Sequence, residues 1–192
     1  MKRIEDERIQ FFLRHHKLIR QWAAIEPEAR KVINEFLQTL GDFAKDQQNS
    51  APDSWKICWD FNSSWPRILR FLPEWGESEG TLPRVSIGLE WYKPSVDLLS
   101  PTGSPYVGVR IDPNLQGSRI LHDRLQQSCQ HCAQGYGFGS ERWWPAFKSI
   151  PPSDEEFWKD LDAYRAQLDK EFEQAWELFA PIVSQTLRAS NP

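Results

Sequence analysis

From Phe157 onward an apolar residue returns every three or four positions: Phe157, Leu161, Tyr164, Leu168, Phe172, Ala175, Phe179 and Ile182. That spacing predicts a helix of about seven turns with one apolar face. So long and one-sided a helix is stable only when its face is covered, so the rest of the chain must supply a broad apolar surface. Its start is marked by the corner at Pro151 and Pro152. The pair Ser153 and Glu156 has the spacing of a capping box, with Asp154 and Glu155 suited to the positive end of the dipole. Pro181 is expected to kink or end it.

The surface is supplied by strands. Trp55, Ile57, Trp59 and Phe61 alternate with Lys56, Cys58 and Asp60, a period of two. A second strand is expected within 65–72, around Ile68, Leu69, Phe71 and Leu72, although Pro66 and the doubled apolar residues blur the alternation. In the third, Val85, Ile87, Leu89 and Trp91 oppose Arg84, Ser86, Gly88 and Glu90, with Pro94 ending or bending it. In the fourth, Val107, Val109 and Ile111 oppose Tyr106, Gly108, Arg110 and Asp112. Turns at 62–64 and 101–104 and the loop GESEGT (76–81) separate these runs. Helical spacing follows over 118–134, with Leu121, Leu125, Cys129 and Cys132 on one stripe and Gly135 as a stop. The loop GYGFG then feeds a bulky strand through Trp143, Trp144 and Phe147. Alternation sends one Trp of that pair to each sheet face, so only one fills the core and the other must meet a helix or a partner.

Upstream, Ile9, Phe12, Leu13, His16, Ile19 and Trp22 mark a helix over 4–24. Pro27 sits as a first-turn proline before a second helix bearing Val32, Ile33, Phe36, Leu37 and Leu40, stopped by Gly41. The two predict an antiparallel hairpin, followed by a polar loop at 45–54. The fold class is α+β: an antiparallel meander of four to five strands packed against a long C-terminal helix, with an N-terminal helical hairpin. The expected organisation is a hairpin at 1–48 and a sheet domain at 49–192, together one compact unit.

The net charge of −4 does not favour nucleic acid, and residues 153–180 hold nine acidic against three basic side chains. No window is apolar enough to span a membrane, and three Cys without a leader predict a cytoplasmic protein with reduced thiols. Ten Trp in 192 residues predict a thick aromatic core, since most fall on apolar faces.

Four sets of residues carry candidate chemistry. Asp60, Glu90 and Lys93 lie at strand ends, where carboxylates hold Mg²⁺ and a Lys assists the attacking water in metal-dependent nucleases. Two residues separate Glu90 from Lys93 where the PD-(D/E)XK pattern has one, which predicts opposite faces and a solvated surface instead. Cys129, His131 and Cys132, with Cys58 or His122 as a fourth ligand, have the atoms for zinc, but His131 leaves the stripe and no second CxxC exists. The string GYGFGSE (135–141) matches neither phosphate-binding pattern and reads as a loop leading to an edge strand. The outer sheet face combines small Ser86, Gly88 and Gly108 with charged Lys56, Asp60, Arg84, Glu90, Arg110 and Asp112, a seat for a partner or a surface covered by the hairpin.

The order IGLEWYK (87–93), YVGVRID (106–112), ERWWPAFKSIPP (141–152) and a following EEFW helix resembles the C-terminal region of PD-(D/E)XK superfamily proteins encoded near phage and defence genes. The resemblance covers about residues 54–188. In that family the catalytic core lies upstream; here the upstream segment is helical and has no D…(D/E)xK. The resemblance therefore implies an accessory or recognition domain without its nuclease, and no catalytic residue is carried over. The leading expectation is a non-catalytic module of a bacterial or phage system that binds a protein partner, with Trp91, Tyr106, Arg110, Trp143 and Trp144 as binding residues and no cofactor. The alternatives are a divergent nuclease using Mg²⁺ at Asp60, Glu90 and Lys93, or a small-molecule sensor with Trp91, Tyr106 and Arg110 lining a pocket.

Overall fold

The computed structural model describes residues 6–50, 54–76, 83–93, 97–98, 102–112, 114 and 117–189. Pro94, most of GESEGT, residues 51–53 and Pro101 lie outside the described residues. The chain is α+β, and the described residues form six strands in one wholly antiparallel sheet ordered β1-β2-β3-β4-β6-β5. The strands are β1 (Lys56–Asp60), β2 (Arg67–Phe71), β3 (Val85–Glu90), β4 (Tyr106–Ile111), β5 (Gly139–Glu141) and β6 (Trp144–Ser149). The first four form the expected meander. Helix α3 (Ser118–Gly135) then carries the chain past β4, and the β5–β6 hairpin returns to its free edge.

Helix α4 (Leu161–Arg188) covers one face of the sheet. Its Tyr164, Leu168, Phe172, Ala175, Phe179 and Val183 are buried against Ile68, Ile87, Leu89, Val107, Val109 and Ala146. Two polar side chains on this side find partners. Arg70 reaches from β2 under the helix, 4.6 Å from the Trp55 ring centroid and 4.9 Å from that of Phe172, and donates through Nη1 to Glu173 at 2.8 Å. Tyr164 donates its hydroxyl to the Ile150 carbonyl at 2.9 Å.

Helix α4 begins later than the sequence predicts. Asp154 accepts the Glu156 backbone N–H at 2.7 Å, a local side-chain bond that competes with a helical start. Phe157–Lys159 consequently forms only a 3-10 turn, and Asp160 caps α4 by accepting from Ala163 N–H at 3.0 Å. Pro181 does not end the helix, because it and Glu177, whose carbonyl it frees, are both exposed to water.

The N-terminal hairpin is replaced by a straight run. Helix α1 (Glu7–Gln38) is continuous through Pro27, and residues 20–28 are exposed, so water can meet the carbonyl of Ala23 that Pro27 leaves without a donor. The break falls at Thr39, whose hydroxyl donates to the Phe36 carbonyl at 2.7 Å. Helix α2 (Leu40–Ser50) follows and takes in most of the expected polar loop. Gly41 lies within α2 rather than stopping a helix. A Cβ there would stand 2.6 Å from the Phe61 ring, so close packing is what requires glycine. Leu37, Leu40 and Ala44 join the same core as the sheet, while Leu37 is the one buried residue of α1.

Candidate functional site

The face of the sheet turned away from α4 carries a row of polar side chains. Strand register aligns Asp60, Arg67, Glu90, Tyr106 and Ser149, one residue from each of five neighbouring strands. Arg67 stands between the two carboxylates, with Nη2 3.9 Å from Asp60 and Nη1 3.6 Å from Glu90. Arg110 adds a second guanidinium, its Nε 3.6 Å from Glu90 Oε2. Tyr106 donates its hydroxyl to Glu90 Oε1 at 2.5 Å. Glu90 and Arg110 are buried, and Arg67 Nε, Arg110 Nη1 and the Ser86 hydroxyl have no hydrogen-bond partner.

Burial governs the protonation of three groups on this face. Burial, then the Glu90 charge, pushes the Tyr106 phenol far up, so it stays a donor. Burial lowers Arg110 against the opposing pull of Glu90. Cys58, beside Arg110 and Arg67, is pushed up to about 11 by burial, which keeps it a thiol rather than a nucleophilic thiolate.

Asp60 and Glu90 thus share a face but sit two strands apart, about 10 Å between strand axes, with an arginine in the space a shared metal would take. Lys93 does not join them. Its Nζ is 3.5 Å from the Phe61 carbonyl, and its own carbonyl accepts from Asn34 of α1 at 2.7 Å. Trp91 turns to the helix side, where it is buried with its ring 5.8 Å from that of Phe61. It therefore lines no common pocket with Tyr106 and Arg110.

The small centre of this face is roofed from within. Trp144 is buried with its Cη2 3.1 Å from where a Cβ of Gly88 would stand, and its ring meets Tyr106 edge-on at 4.9 Å. Simple alternation fails here because Glu141 pairs with Trp144 and Gly139 with Phe147, three steps on β6 against two on β5. This bulge puts Trp144 and Phe147 on one face. Trp143 is half-buried against α3, lining a cleft of about 470 Å³ with Ile111, Ser118, Arg119, His122 and Asp123. Exposed Trp65 and Tyr92, 4.7 Å apart, form an aromatic rim beside Tyr106.

Of the zinc candidates, Cys129 is buried in the core, Cys132 is half-buried and His131 is exposed. Among the described residues no group of three His, Cys, Asp or Glu is placed to hold a metal. His122 bonds the Glu141 carbonyl at 2.8 Å, and Cys58 sits on β1, across the sheet from β6 where α3 packs. The glycine-rich string is the expected approach to an edge strand: Gly137 takes φ +76°, Phe138 packs on Phe179, and β5 follows.

A run of exposed apolar side chains lies elsewhere, on α1. Eight of the thirteen large apolar side chains exposed among the described residues lie on α1: Ile9, Phe11, Phe12, Leu13, Leu18, Trp22, Ile25 and Val32. Phe11, Leu18, Ile25 and Val32 recur every seven positions, and His15, Trp22, Ala29 and Phe36 fall between them, giving a seam of alternating three- and four-residue steps. This seam runs beside the stripe of Ile9, Phe12, Leu13, His16, Ile19 and Trp22, and its signal in the sequence is the sevenfold recurrence. At its C-terminal end the seam enters an apolar groove of about 560 Å³, walled by Ile25, Val32 and Phe36 on one side and Phe157, Trp158 and Leu161 on the other. Trp158 is 59% exposed.

None of the described helices is long and apolar enough to cross a membrane. Compared with protein-family models, curated proteins and solved structures, the chain matches none.

Proposed function

We propose that the chain is a non-catalytic protein-interaction module, and that α1 is the element through which it binds. The observation that carries this is the row of exposed apolar side chains along residues 9–32. An isolated helix gains little stability in water and normally depends on an apolar face being buried. A contiguous exposed apolar surface of this extent marks an interaction site. The likeness to accessory regions of phage and defence proteins supports reading the module as part of such a system, working in the cytoplasm.

A nuclease finds less support, since Arg67 separates Asp60 from Glu90 and Lys93 engages the 61–64 loop. A sensor pocket finds less as well, since Trp144 fills the centre of the face.

A photo-reactive residue at Ile25 should form protein adducts in the host cell, and one at Tyr136, comparably exposed just past the end of α3, should not. Absence of adducts from Ile25 sinks the proposal. So does Mg²⁺-dependent hydrolysis of DNA or RNA by the purified chain that Glu90→Gln abolishes.

A further inference from the structure

We infer that the partner on α1 is a second copy of the chain, with the two α1 helices antiparallel and their two-fold axis near Trp22. This rests on α1 being the binding element, and adds what binds there.

Charge distribution favours this occupant. Residues 8–20 contain Arg8, Arg14, Lys17 and Arg20 and no acidic residue. The C-terminal half of the seam is bordered by Glu26, Glu28 and Glu35, with Asp97 in the groove; Glu26 and Glu35 pair within the helix with Arg30 and Lys31, so the excess negative charge comes from Glu28 and the groove's other wall. The segment that forms the groove's other wall is flanked by Asp154, Glu155, Glu156, Asp160 and Asp162 against the single Lys159. A parallel pair would set basic half against basic half. An antiparallel pair sets each basic half against an acidic border, twice, by one symmetry operation.

Shape agrees with charge. The N-terminal half is apolar over a wide arc, because Ile9, Phe12, Leu13 and Ile19 adjoin the seam residues Phe11 and Leu18. The groove on the C-terminal half has two walls, α1 itself and the Phe157–Leu161 segment. A helix seated in a two-walled groove needs an apolar surface wider than a single seam. Each chain therefore carries both the insert and its receptacle, as an isologous contact requires. Residues 9–32 span about 36 Å, and a helix is about 10 Å wide, so α1 alone offers a strip of about 360 Å² in projection, and the groove's second wall must supply the rest of the roughly 800 Å² per partner of a stable interface.

Sedimentation of the full chain should give twice the 22.5 kDa chain mass at micromolar concentration. Two charge reversals at exposed positions test the pairing: Lys17→Glu with Arg20→Glu in one chain, and Glu28→Lys with Asp162→Lys in another. Each alone should dimerise at least about tenfold more weakly at low salt, and an equimolar mixture should recover a heterodimer of wild-type strength. Far-UV circular dichroism confirms that both variants keep their helices, and Leu18→Asp supplies an independent monomer. A wild-type monomer at about 100 µM, an Ile25 adduct containing only other proteins, or a mixture that stays monomeric overturns the self-pairing. Adducts with other proteins would still leave α1 as a binding element, whereas no adduct of any kind removes both.

Discussion

Trp144 lies across Gly88 in the space a side chain would need, with its Cη2 3.1 Å from the position of a Cβ. The other near neighbour is the flexible end of Leu69, at 2.9 Å. Gly108, one strand over, faces backbone instead: its Cβ would stand 2.0 Å from the Ala146 carbonyl oxygen and 2.7 Å from the Phe147 Cα. Side chains can shift and a paired strand cannot. Gly88→Ala should therefore cost about 1 kcal/mol and Gly108→Ala about 3 kcal/mol or more, as read by urea unfolding. Equal costs would show that β6 yields as readily as Leu69.

Glu90 is held by two guanidiniums and a phenol. Glu90→Ala leaves Arg67 and Arg110 facing each other in a buried setting, and should cost about 3–5 kcal/mol. Tyr106→Phe removes only a hydroxyl and leaves Glu90 its cations, with an expected loss of about 1–2 kcal/mol. Chemical denaturation of both variants checks the order; a neutral Glu90→Ala would mean the row contributes nothing to folding.

Asp169 gives the fold a pH dependence. Burial, opposed by Arg165 and reinforced by Glu173, raises its carboxyl to about 6. Its Oδ1 has no hydrogen-bond partner, and Arg165 is 3.9 Å away. A raised acid binds more protons folded than unfolded, so its contribution is fully present below about pH 4 and lost as pH rises through about 6. Asp169→Asn should thus be more stable than wild type at pH 7.5, by about 1 kcal/mol after solvent screening, and equal to it near pH 4. Paired unfolding curves at the two pH values read this directly; a wild type favoured at pH 7.5 reverses the sign and refutes it.

The three thiols should separate by reactivity. Cys58 is pushed up to about 11 and Cys129 to about 12, both by burial. At pH 8 the thiolate of Cys58 is about a hundredfold scarcer than that of a free thiol, so iodoacetamide should reach Cys132 first. Mass spectrometry of the partly labelled chain locates the adduct; fast labelling at Cys58 would show that its face opens.

How much of this was legible depended on the range of the interactions. Strict alternation reveals strands β1, β3 and β4, because each turns one face to the apolar α4 side and the other to the polar row. The α4 stripe from Tyr164 to Phe179 was equally plain. Where α4 begins was not, because Asp154 satisfies a backbone donor locally and defeats the capping pair Ser153 and Glu156. Pro27 misled for a related reason: a proline breaks a helix only where its freed carbonyl cannot reach water, and that depends on exposure. Arg67 was missed entirely. Its place between Asp60 and Glu90 follows from the register of three strands, which no local spacing encodes. The second seam on α1 was encoded locally, but an apolar residue looks the same in sequence whether or not the chain supplies its cover.

The row from Asp60 to Ser149 has a consequence for how the sheet finds its alignment. The connections from 72 to 84 and from 91 to 105 are too long for turn geometry to dictate which residues of β2, β3 and β4 meet. A slip of one residue in β2 would carry Arg67 toward the apolar helix side and expose Ile68 in its place. A one-residue slip therefore buries an unpaired guanidinium, whereas the native register sets it between two carboxylates. The charges serve as a key that admits a single pairing of strands, a role that would persist even if the row added nothing to net stability.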